Sequence, residues 1–293
     1  MKTILLDYVS ARANYHVGIQ SDFELAAHAE FTCRQVLLQK RQASVVKSHG
    51  ICQINSLKEV GEATHVVYTV YFKDLLKQQN QFFNEEYEEQ RKVVIQHGEI
   101  LSDVLMSQVY QDKEDYVYQL SHSIANDRAP FVYDRREAVR YAEQWWDSYN
   151  PNYKKFEVDC TNYVSQCLHA GGAPMTGSPN RNKGWWMKNN SWSYSWSVAH
   201  ALRWYLGSSK SGLRAVVKTS AKELMLGDVI CYDFQGDGRF DHNTIVVAKD
   251  AFGMPLVNAH TTNSRMRYWS YEDSTAYTPN IKYKFFHITD GNS

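Results

Sequence analysis

The chain has 293 residues, which is enough for one large domain or two of ordinary size, and we expect two. Lysine plus arginine and aspartate plus glutamate both total 32, so the formal net charge is zero. This balance argues against nucleic acid or an anionic membrane surface as a partner, because proteins that bind either one usually carry an excess of basic residues. The five cysteines include no CxxC pair, so their spacing predicts neither a disulfide framework nor a zinc knuckle.

The N-terminal segment begins with a short apolar run that Asp7 interrupts and Arg12 follows. A signal peptide needs a longer apolar core, so this segment does not fit one. No window of the sequence approaches the roughly 18 consecutive apolar residues of a membrane-spanning helix. From the sequence we therefore expect a soluble, cytoplasmic protein without a membrane partner.

The first third of the chain predicts a small α+β domain over residues 1–125. The helical spacing of apolar residues indicates an amphipathic helix at 21–40. Strand character follows in three stretches, at 42–54, 62–73 and 86–97. Alternating residues of the second stretch share one face, namely Val66, Tyr68, Val70 and Phe72. In the order of its elements, a helix followed by a curved antiparallel sheet, this domain resembles nuclear-transport-factor-like and cystatin-like domains.

A polar stretch at 121–131 contains Pro130 and separates the strand region from a new helical pattern. We place a domain boundary there, because linkers between domains are commonly polar and contain proline. The second domain is then expected at 130–293.

The second domain is expected to have its helices first and an antiparallel sheet afterwards, which is the α+β class. Three helices are predicted, at 134–149 with Asp134 as N-cap, at 159–172 and at 198–206. Five strands are predicted after them, at 214–218, 228–234, 243–249, 255–261 and 281–288. Residues 173–197 are rich in tryptophan, serine and asparagine and lack periodicity, so they predict a long loop that exposes or clamps aromatic rings.

Cys160 stands where the second of these helices begins, directly after Asp159. The unpaired N–H groups and the dipole at a helix N-terminus favour the thiolate, which is the nucleophilic form of cysteine. Taken alone, a cysteine at the start of an apolar helix is more often a packing residue. We assign Cys167, seven residues further along the helix, and Cys231, inside a strand, to packing.

A second signal lies in the tract GDGRFDHNTIVV, where His242 enters a hydrophobic strand after an acidic turn. One hairpin later, Asn258 and His260 lie two residues apart and so share a face of the next strand. Either side chain could hydrogen-bond to the ring nitrogen of His242 that does not face Cys160. The order cysteine, histidine, then asparagine or histidine is that of a thiol triad, in which the third group orients the imidazole.

Several separated blocks of the second domain resemble one known family. They include YDRREAVRYAEQWW, DCTNYVSQCLHAGG, ELMLGDVICYDF, GDGRFDHNTIVV and NAHTTN. Together they resemble the putative amidase domain family of Bacillus-type bacteria, which is similar to the NlpC-type and CHAP peptidoglycan hydrolases of the papain-like superfamily. The resemblance spans about residues 133–270 and none of the first 125.

The resemblance implies a papain-like fold with catalytic residues Cys160 and His242 and a third polar residue in the following strand. We choose His260 for the third role and keep Asn258 in reserve. It also implies that Asp159 helps to hold a substrate amine, although a helix N-cap is an equally good interpretation.

The expected reaction is hydrolysis of an amide or peptide bond through a thioester, with peptidoglycan or a related cell-wall peptide as substrate. The oxyanion would be stabilised by the N–H of Cys160 and a further donor, for which Asn162, Tyr153 and the loop in the 180s are candidates. Four tryptophans would line one wall of the substrate groove, Trp185, Trp186, Trp192 and Trp196.

Other interpretations stay open at this stage. Part of a calcium loop is suggested by Asp233, Asp237 and Asp241, but Thr244 stands where a bidentate glutamate belongs. Three zinc ligands could be drawn from Cys160, His242 and His260. We expect no metal or other cofactor. The domain could also bind cell-wall glycan or peptide through the tryptophan-rich loop without cleaving it, and the first domain could serve dimerisation or hold a ligand.

Overall fold

A computed structural model describes residues 2–19, 28–106 and 131–291 of the chain. The chain divides into two compact units. The N-terminal unit comprises Met1–Gln108 with Ser270–Ala276, and the C-terminal unit comprises Val109–Trp269 with Tyr277–Ser293. Residues 121–130 of the predicted boundary stretch lie outside the described residues, so that boundary stays a prediction. The grouping of Ser270–Ala276 with the N-terminal unit has no counterpart in the sequence prediction.

The N-terminal unit combines two helices with an antiparallel sheet. Its elements are α1 Lys2–His16, α2 His28–Lys40, β1 Ala43–Val60, β2 Ala63–Gln78, β3 Gln81–Gln96 and β4 Glu99–Leu105. Each strand pairs antiparallel with the next along the chain. The three predicted strands are present and extend beyond the predicted limits, and β4 follows them. The predicted helix at 21–40 is confirmed from His28 onward, while residues 21–27 lie outside the described residues.

The core of the N-terminal unit follows the predicted alternation. The four alternating residues of β2 are buried, Val66, Tyr68, Val70 and Phe72. Leu5 and Val9 of α1 pack against this face, in a segment where no helix was predicted. Because Leu5 and Val9 are four residues apart, they lie on one side of a helix, which is the signal that was missed. The α+β class of this unit agrees with the prediction.

The C-terminal unit opens with helices and closes with strands, as predicted. Its helices are α3 Arg135–Trp145, α4 Cys160–Ala170, α5 Tyr194–Ser197 and α6 Ala199–Ser208. Its strands are β5 Met187–Lys188, β6 Ser191–Trp192, β7 Arg214–Lys218, β8 Val229–Asp233, β9 His242–Lys249, β10 Pro255–Ala259, β11 Ser264–Tyr268 and β12 Lys282–Thr289. Within this unit the main sheet has the order β11-β10-β9-β8-β12-β7, and each of these neighbours pairs antiparallel.

Local signals explain where the two long helices of this unit begin and end. The Asp134 carboxylate accepts the backbone N–H groups of Arg136 and Glu137 and thereby caps α3 as predicted. The N–H of Gly171 bonds the Cys167 carbonyl, and Gly172 has a φ of +89°, which glycine adopts without strain. The glycines therefore end α4 where the sequence predicts.

The core of the C-terminal unit lies between its helices and one face of its main sheet. Residues of α4 and of three strands meet there, Tyr163, Val164, Leu168, Val229, Ile245 and Phe286. This packing confirms a mixed fold of helices on an antiparallel sheet. Strand β11 was not predicted, since its five residues SRMRY include only one aliphatic side chain, Met266, and carry too weak a pattern to indicate a strand.

The tryptophan-rich loop holds three of its rings in the interior, which agrees with the clamping alternative of the prediction and not with exposed rings along a groove. Trp185, Trp186 and Trp196 are buried. The indole N–H of Trp185 donates to Ser165 Oγ at 2.9 Å, and that of Trp196 donates to Asn162 Oδ1 at 2.8 Å. Because a buried indole N–H needs an acceptor, these bonds attach the loop to α4 instead of leaving the rings for a ligand.

The acidic segment between β8 and β9 is a hairpin turn, as predicted. The Asp233 carboxylate accepts the backbone N–H groups of Gly236, Asp237 and Gly238, at 2.7, 3.2 and 2.8 Å. These bonds use the oxygens that a calcium ion would need, so Asp233 organises the turn.

In residues 2–19, 28–106 and 131–291, no helix has both the length and the apolar character that crossing a membrane requires.

Candidate active site

Cys160 is the first residue of α4, and the residue is 1% exposed. Its backbone N–H donates to Thr261 Oγ1 at 3.2 Å, and the N–H of Asp159 donates to the same oxygen at 3.1 Å. The thiol sulfur lies 3.7 Å from Thr161 Oγ1. The predicted position of the cysteine at a helix N-terminus is therefore correct.

Asp159 has a different role from the two predicted ones. Its carboxylate makes no cap bond to the helix backbone. Instead, Oδ1 accepts the N–H of Phe156 and Nδ2 of Asn162, both at 2.9 Å, and Oδ2 lies 2.8 Å from His260 Nδ1. With three partners and almost complete burial, this carboxylate holds the loop before Cys160 in place. It is not exposed to a substrate amine.

His260 holds Asp159 rather than orienting His242, which corrects the predicted role. Its Nδ1 faces the Asp159 carboxylate, and its Nε2 lies 2.6 Å from the carbonyl oxygen of Trp145. Both ring nitrogens therefore face oxygen atoms, one on the Asp159 side chain and one on the backbone at the end of α3. The ring also stacks on Tyr163, with a centroid distance of 4.1 Å and an interplanar angle of 17°.

Asn258, the reserve for the third role, is also engaged elsewhere. Its Nδ2 donates to Glu143 Oε1 at 2.8 Å, and its Oδ1 accepts the N–H of Met266 at 2.9 Å. Asn258 and His260 both bond to residues of α3, but β10 ends at Ala259, so His260 lies just beyond the predicted strand. Their side chains connect β10 to α3, because both bond to residues of that helix.

His242 is the first residue of β9, and it pairs with Tyr232 of β8. Its ring lies 5.6 Å from the ring of Tyr232 and 6.1 Å from that of Phe234, measured between centroids. Burial among these rings, followed by the positive charge of Arg267, lowers the pKa of His242 to about 3. The imidazole is therefore neutral at physiological pH.

Two bonds place the start of α4 beside the end of β9 that carries His242. Asn243 Nδ2 donates to Thr161 Oγ1 at 3.0 Å, which joins the residue after His242 to the residue after Cys160. Thr261, two residues beyond β10, binds the N–H of Cys160. In the β8–β9 pairing, Asn243 lies opposite Cys231, whose side chain is in the core under α4. Strand alternation therefore puts Asn243 on the α4 side and His242 on the Tyr232 side.

Acidification is expected to destabilise the C-terminal unit through His242. In the unfolded chain its pKa is near 6.5, whereas in the folded chain it is about 3. Between these values the unfolded chain binds a proton that the folded chain does not. The stabilising contribution is thus complete above pH 6.5 and is lost as the pH falls towards 3. The loss is about 1.4 kcal/mol per pH unit, or about 2 kcal/mol at pH 5.

Urea denaturation of wild type and His242→Gln at pH 7 and pH 5 measures this effect. We expect the variant to lose about 2 kcal/mol less than wild type between the two pH values. The neighbouring Asp241 acts in the opposite direction, because burial raises the pKa of its carboxyl to about 6. The folded state therefore becomes less stable as Asp241 ionises. Both proteins retain Asp241, so equal losses in the two would contradict the assignment to His242.

The predicted substrate-binding residues have structural partners. Asn162 Nδ2 donates to the Lys154 carbonyl and to Asp159, each at 2.9 Å, which uses both of its hydrogens. Tyr153 is half-buried and stacks on Trp196 at 5.9 Å. The Trp186 indole N–H lies 3.1 Å from the carbonyl oxygen of Lys183. Asn162 therefore has no amide hydrogen left for an oxyanion.

The zinc interpretation does not fit these contacts. A zinc-bound histidine offers a ring-nitrogen lone pair to the metal. Both ring nitrogens of His260 are already in contact with oxygen atoms of Asp159 and Trp145, so neither points towards Cys160 or His242. Cys167 and Cys231 behave as the predicted packing residues, because burial raises the pKa of both thiols and keeps them protonated.

Two residues that touch the Cys160 region were not identified from the sequence. Thr261 follows NAH and Asn243 follows His242, so each lies next to a residue that was singled out. A motif-based analysis selects residue types that perform acid–base or nucleophilic chemistry, and threonine and asparagine are common in turns and at strand ends. Their position beside predicted site residues was the only available signal.

The comparisons agree with the resemblance to the putative amidase domain family. A family model described as "Putative amidase domain" matches residues 132–286, more than half of the chain. The chain is 50% identical over 264 residues to "Uncharacterized protein YhbB" of Bacillus subtilis (strain 168), covering 88% of this chain and 85% of that protein. It is 32% identical over 139 residues to "Uncharacterized protein YjcM" of the same organism, covering 45% of this chain and 31% of that protein. No solved structure matches. The chain belongs to the putative amidase domain family.

Proposed function

We propose that the C-terminal unit is a cysteine amidase of papain-like type, with Cys160 as nucleophile and His242 as its base. The observation that carries the proposal is the position of Cys160 at the N-terminus of a buried helix, in a chain that belongs to an amidase family. A helix N-terminus favours the thiolate and offers backbone N–H groups to a developing oxyanion. The buried Asp159–His260 pair supports this position by holding the preceding residue.

The reaction proceeds by acyl transfer. The thiol of Cys160 gives its proton to His242, and the sulfur forms a bond to the carbonyl carbon of the amide. The tetrahedral intermediate collapses when the C–N bond breaks and His242 returns the proton to the leaving amine. Water then attacks the thioester, which releases the carboxylic acid and restores the thiol.

The electrostatics of His242 set a condition for this mechanism. An imidazole whose pKa is about 3 is a weak base, since a thiol loses its proton with a pKa near 8.5. Proton transfer becomes favourable only when the imidazole gains polar contacts or water that raise its pKa. Strand alternation also puts the His242 side chain on the Tyr232 side of β9, away from α4, so the imidazole must leave Tyr232 and Phe234 before it can accept the proton of Cys160. We infer that substrate binding opens this packing and turns the imidazole towards Cys160.

The proposed substrate class is the peptide or amide bonds of peptidoglycan or a related cell-wall peptide. Its support is the similarity of the family to NlpC-type and CHAP peptidoglycan hydrolases. A non-catalytic binding module that uses exposed tryptophans has less support, because Trp185, Trp186 and Trp196 are buried and hydrogen-bonded.

The test is digestion of purified muropeptides by the full chain, with products identified by mass and new amines quantified. A portion of the protein is first alkylated with iodoacetamide, and the modified cysteine is located by peptide mapping. Cys33 is exposed and Cys160 is buried, so labelling is followed at each cysteine separately, and we expect amine release to stop only as Cys160 becomes alkylated. The proposal fails if the protein labelled at Cys160 digests muropeptides as fast as the untreated protein.

A further inference from the structure

The hydroxyl of Thr261 accepts a hydrogen bond from the backbone N–H of Cys160, which the proposed reaction needs as a donor to the oxyanion. Oγ1 accepts the N–H of Cys160 at 3.2 Å and that of Asp159 at 3.1 Å. A backbone N–H has one hydrogen, so the N–H of Cys160 cannot fully serve Thr261 and an oxyanion together. In this arrangement the donor at the nucleophile is already taken.

The backbone of Thr261 is in a conformation that threonine rarely adopts. Its φ is +82°, where the branched Cβ crowds the main chain. Glycine or asparagine would adopt this turn after β10 with less strain, so the conformation gives no reason for a threonine. The feature that distinguishes threonine is its hydroxyl, and that hydroxyl makes the two bonds to the start of α4. Thr261 is also partly exposed, so its side chain has room to leave.

We propose that the Thr261 hydroxyl is a displaceable hydrogen-bond acceptor that blocks the oxyanion site in the resting protein, and we call it the stopper. Its hydroxyl binds the N–H of Cys160 in the resting protein, and the substrate carbonyl oxygen replaces it when the thiolate attacks. The strained backbone lowers the cost of that displacement, because leaving the site allows φ to relax. This inference rests on the proposed function, since it assigns Thr261 to the site of Cys160.

Two chemical probes separate the stopper from a general effect on the thiol. 4-Nitrophenyl acetate acylates Cys160 through a tetrahedral oxyanion: the sulfur bonds to the carbonyl carbon, and 4-nitrophenolate leaves with its electron pair. Iodoacetamide alkylates the same sulfur with loss of iodide and forms no oxyanion. The ratio of the two rate constants therefore reports the oxyanion site, whereas alkylation alone reports the thiolate and its accessibility.

The ratio is measured for wild type, Thr261→Ala, Thr261→Gly and Thr261→Ser, with Thr219→Ala as the matched control. Thr219 donates to Glu223 in a turn of the same unit. We expect the ratio to rise about tenfold in Thr261→Ala and Thr261→Gly, the factor carried by one ordinary hydrogen bond, and to stay near the wild-type value in Thr261→Ser and Thr219→Ala. Thr261→Gly also relieves the φ strain, so it provides a folded variant if Thr261→Ala is unstable.

The outcomes separate the two proposals. An unchanged or lower ratio in Thr261→Ala and Thr261→Gly, with Cys160 still reactive in the wild type, overturns the stopper and leaves the proposed function intact. An equal fall of both rate constants would instead make Thr261 a residue that only positions α4. If Cys160 of the folded wild type reacts with neither probe while the urea-denatured chain does, the proposed function fails and the stopper with it.

Discussion

Replacing Cys160 with alanine is expected to lower the rate of amide hydrolysis by about 10⁴-fold or more. The thioester cannot form without the sulfur, and a water molecule at the same place is a far weaker nucleophile. Alanine is smaller than cysteine and fits the first turn of α4, so the fold should persist. The measurement is the rate of amine release from the muropeptide that the wild type cleaves.

Cys167→Ala is the matched control, because Cys167 is a buried cysteine of the same helix. We expect it to retain the activity of the wild type while costing about 1 kcal/mol of stability from the small cavity that it leaves. Cys160→Ser keeps the size and geometry of the side chain but is a poorer nucleophile at neutral pH, so its activity should fall nearly as far as that of Cys160→Ala. Wild-type turnover in Cys160→Ala would refute the thiol mechanism.

Removing His260 is expected to destabilise the C-terminal unit by about 3–5 kcal/mol. His260→Ala leaves the buried Asp159 carboxylate without its imidazole partner and removes the contact to the Trp145 carbonyl oxygen. The stacking of the imidazole on Tyr163 is lost as well. Urea denaturation followed by tryptophan fluorescence measures the change, and all eight tryptophans lie between residues 145 and 269, so the signal reports this unit.

A double-mutant cycle tests whether the loss comes from the pair. Asp159→Asn removes the charge that His260→Ala strands, so the double variant should be more stable than the sum of the two single losses predicts. Arg140→Ala breaks a solvent-exposed pair with Glu137 on α3 and serves as the control, with an unfolding midpoint close to that of the wild type. Strictly additive losses in the cycle would show that Asp159 and His260 do not stabilise each other.

The helices and strands that the sequence predicted correctly are those whose signals come from residues close together in the chain. The alternation of Val66, Tyr68, Val70 and Phe72 indicated a half-buried strand, and the structure buries these four residues. Asp134 indicated a helix start and Gly171 with Gly172 a helix end, because capping uses side chains and φ angles within a few residues. The helix that contains Leu5 and Val9 was not predicted, because the apolar run at this end of the chain was compared only with a signal peptide.

The candidate site could be predicted only in part. The order of Cys160, His242 and His260 along the chain indicated a triad, yet His260 binds Asp159, a residue about one hundred positions earlier. Period-two alternation predicted that Asn258 and His260 share one face of a strand, but β10 ends at Ala259, and alternation does not say which helix the two side chains contact. Trp185 and Trp186 were expected at a groove because tryptophans occur both at binding surfaces and in cores, and composition does not separate the two.

By itself the sequence determined the α+β class of both units, the helix that begins at Cys160 and the amidase family, since periodicity, capping and motif spacing are encoded locally. Only the tertiary structure decided that His260 supports Asp159, that Asn243 joins β9 to α4 and that Thr261 binds the N–H of Cys160. These bonds join residues that are distant in sequence, and their geometry depends on how α4 lies against the ends of β9 and β10. The burial that lowers the pKa of His242 has the same origin, because desolvation comes from side chains that packing brings together.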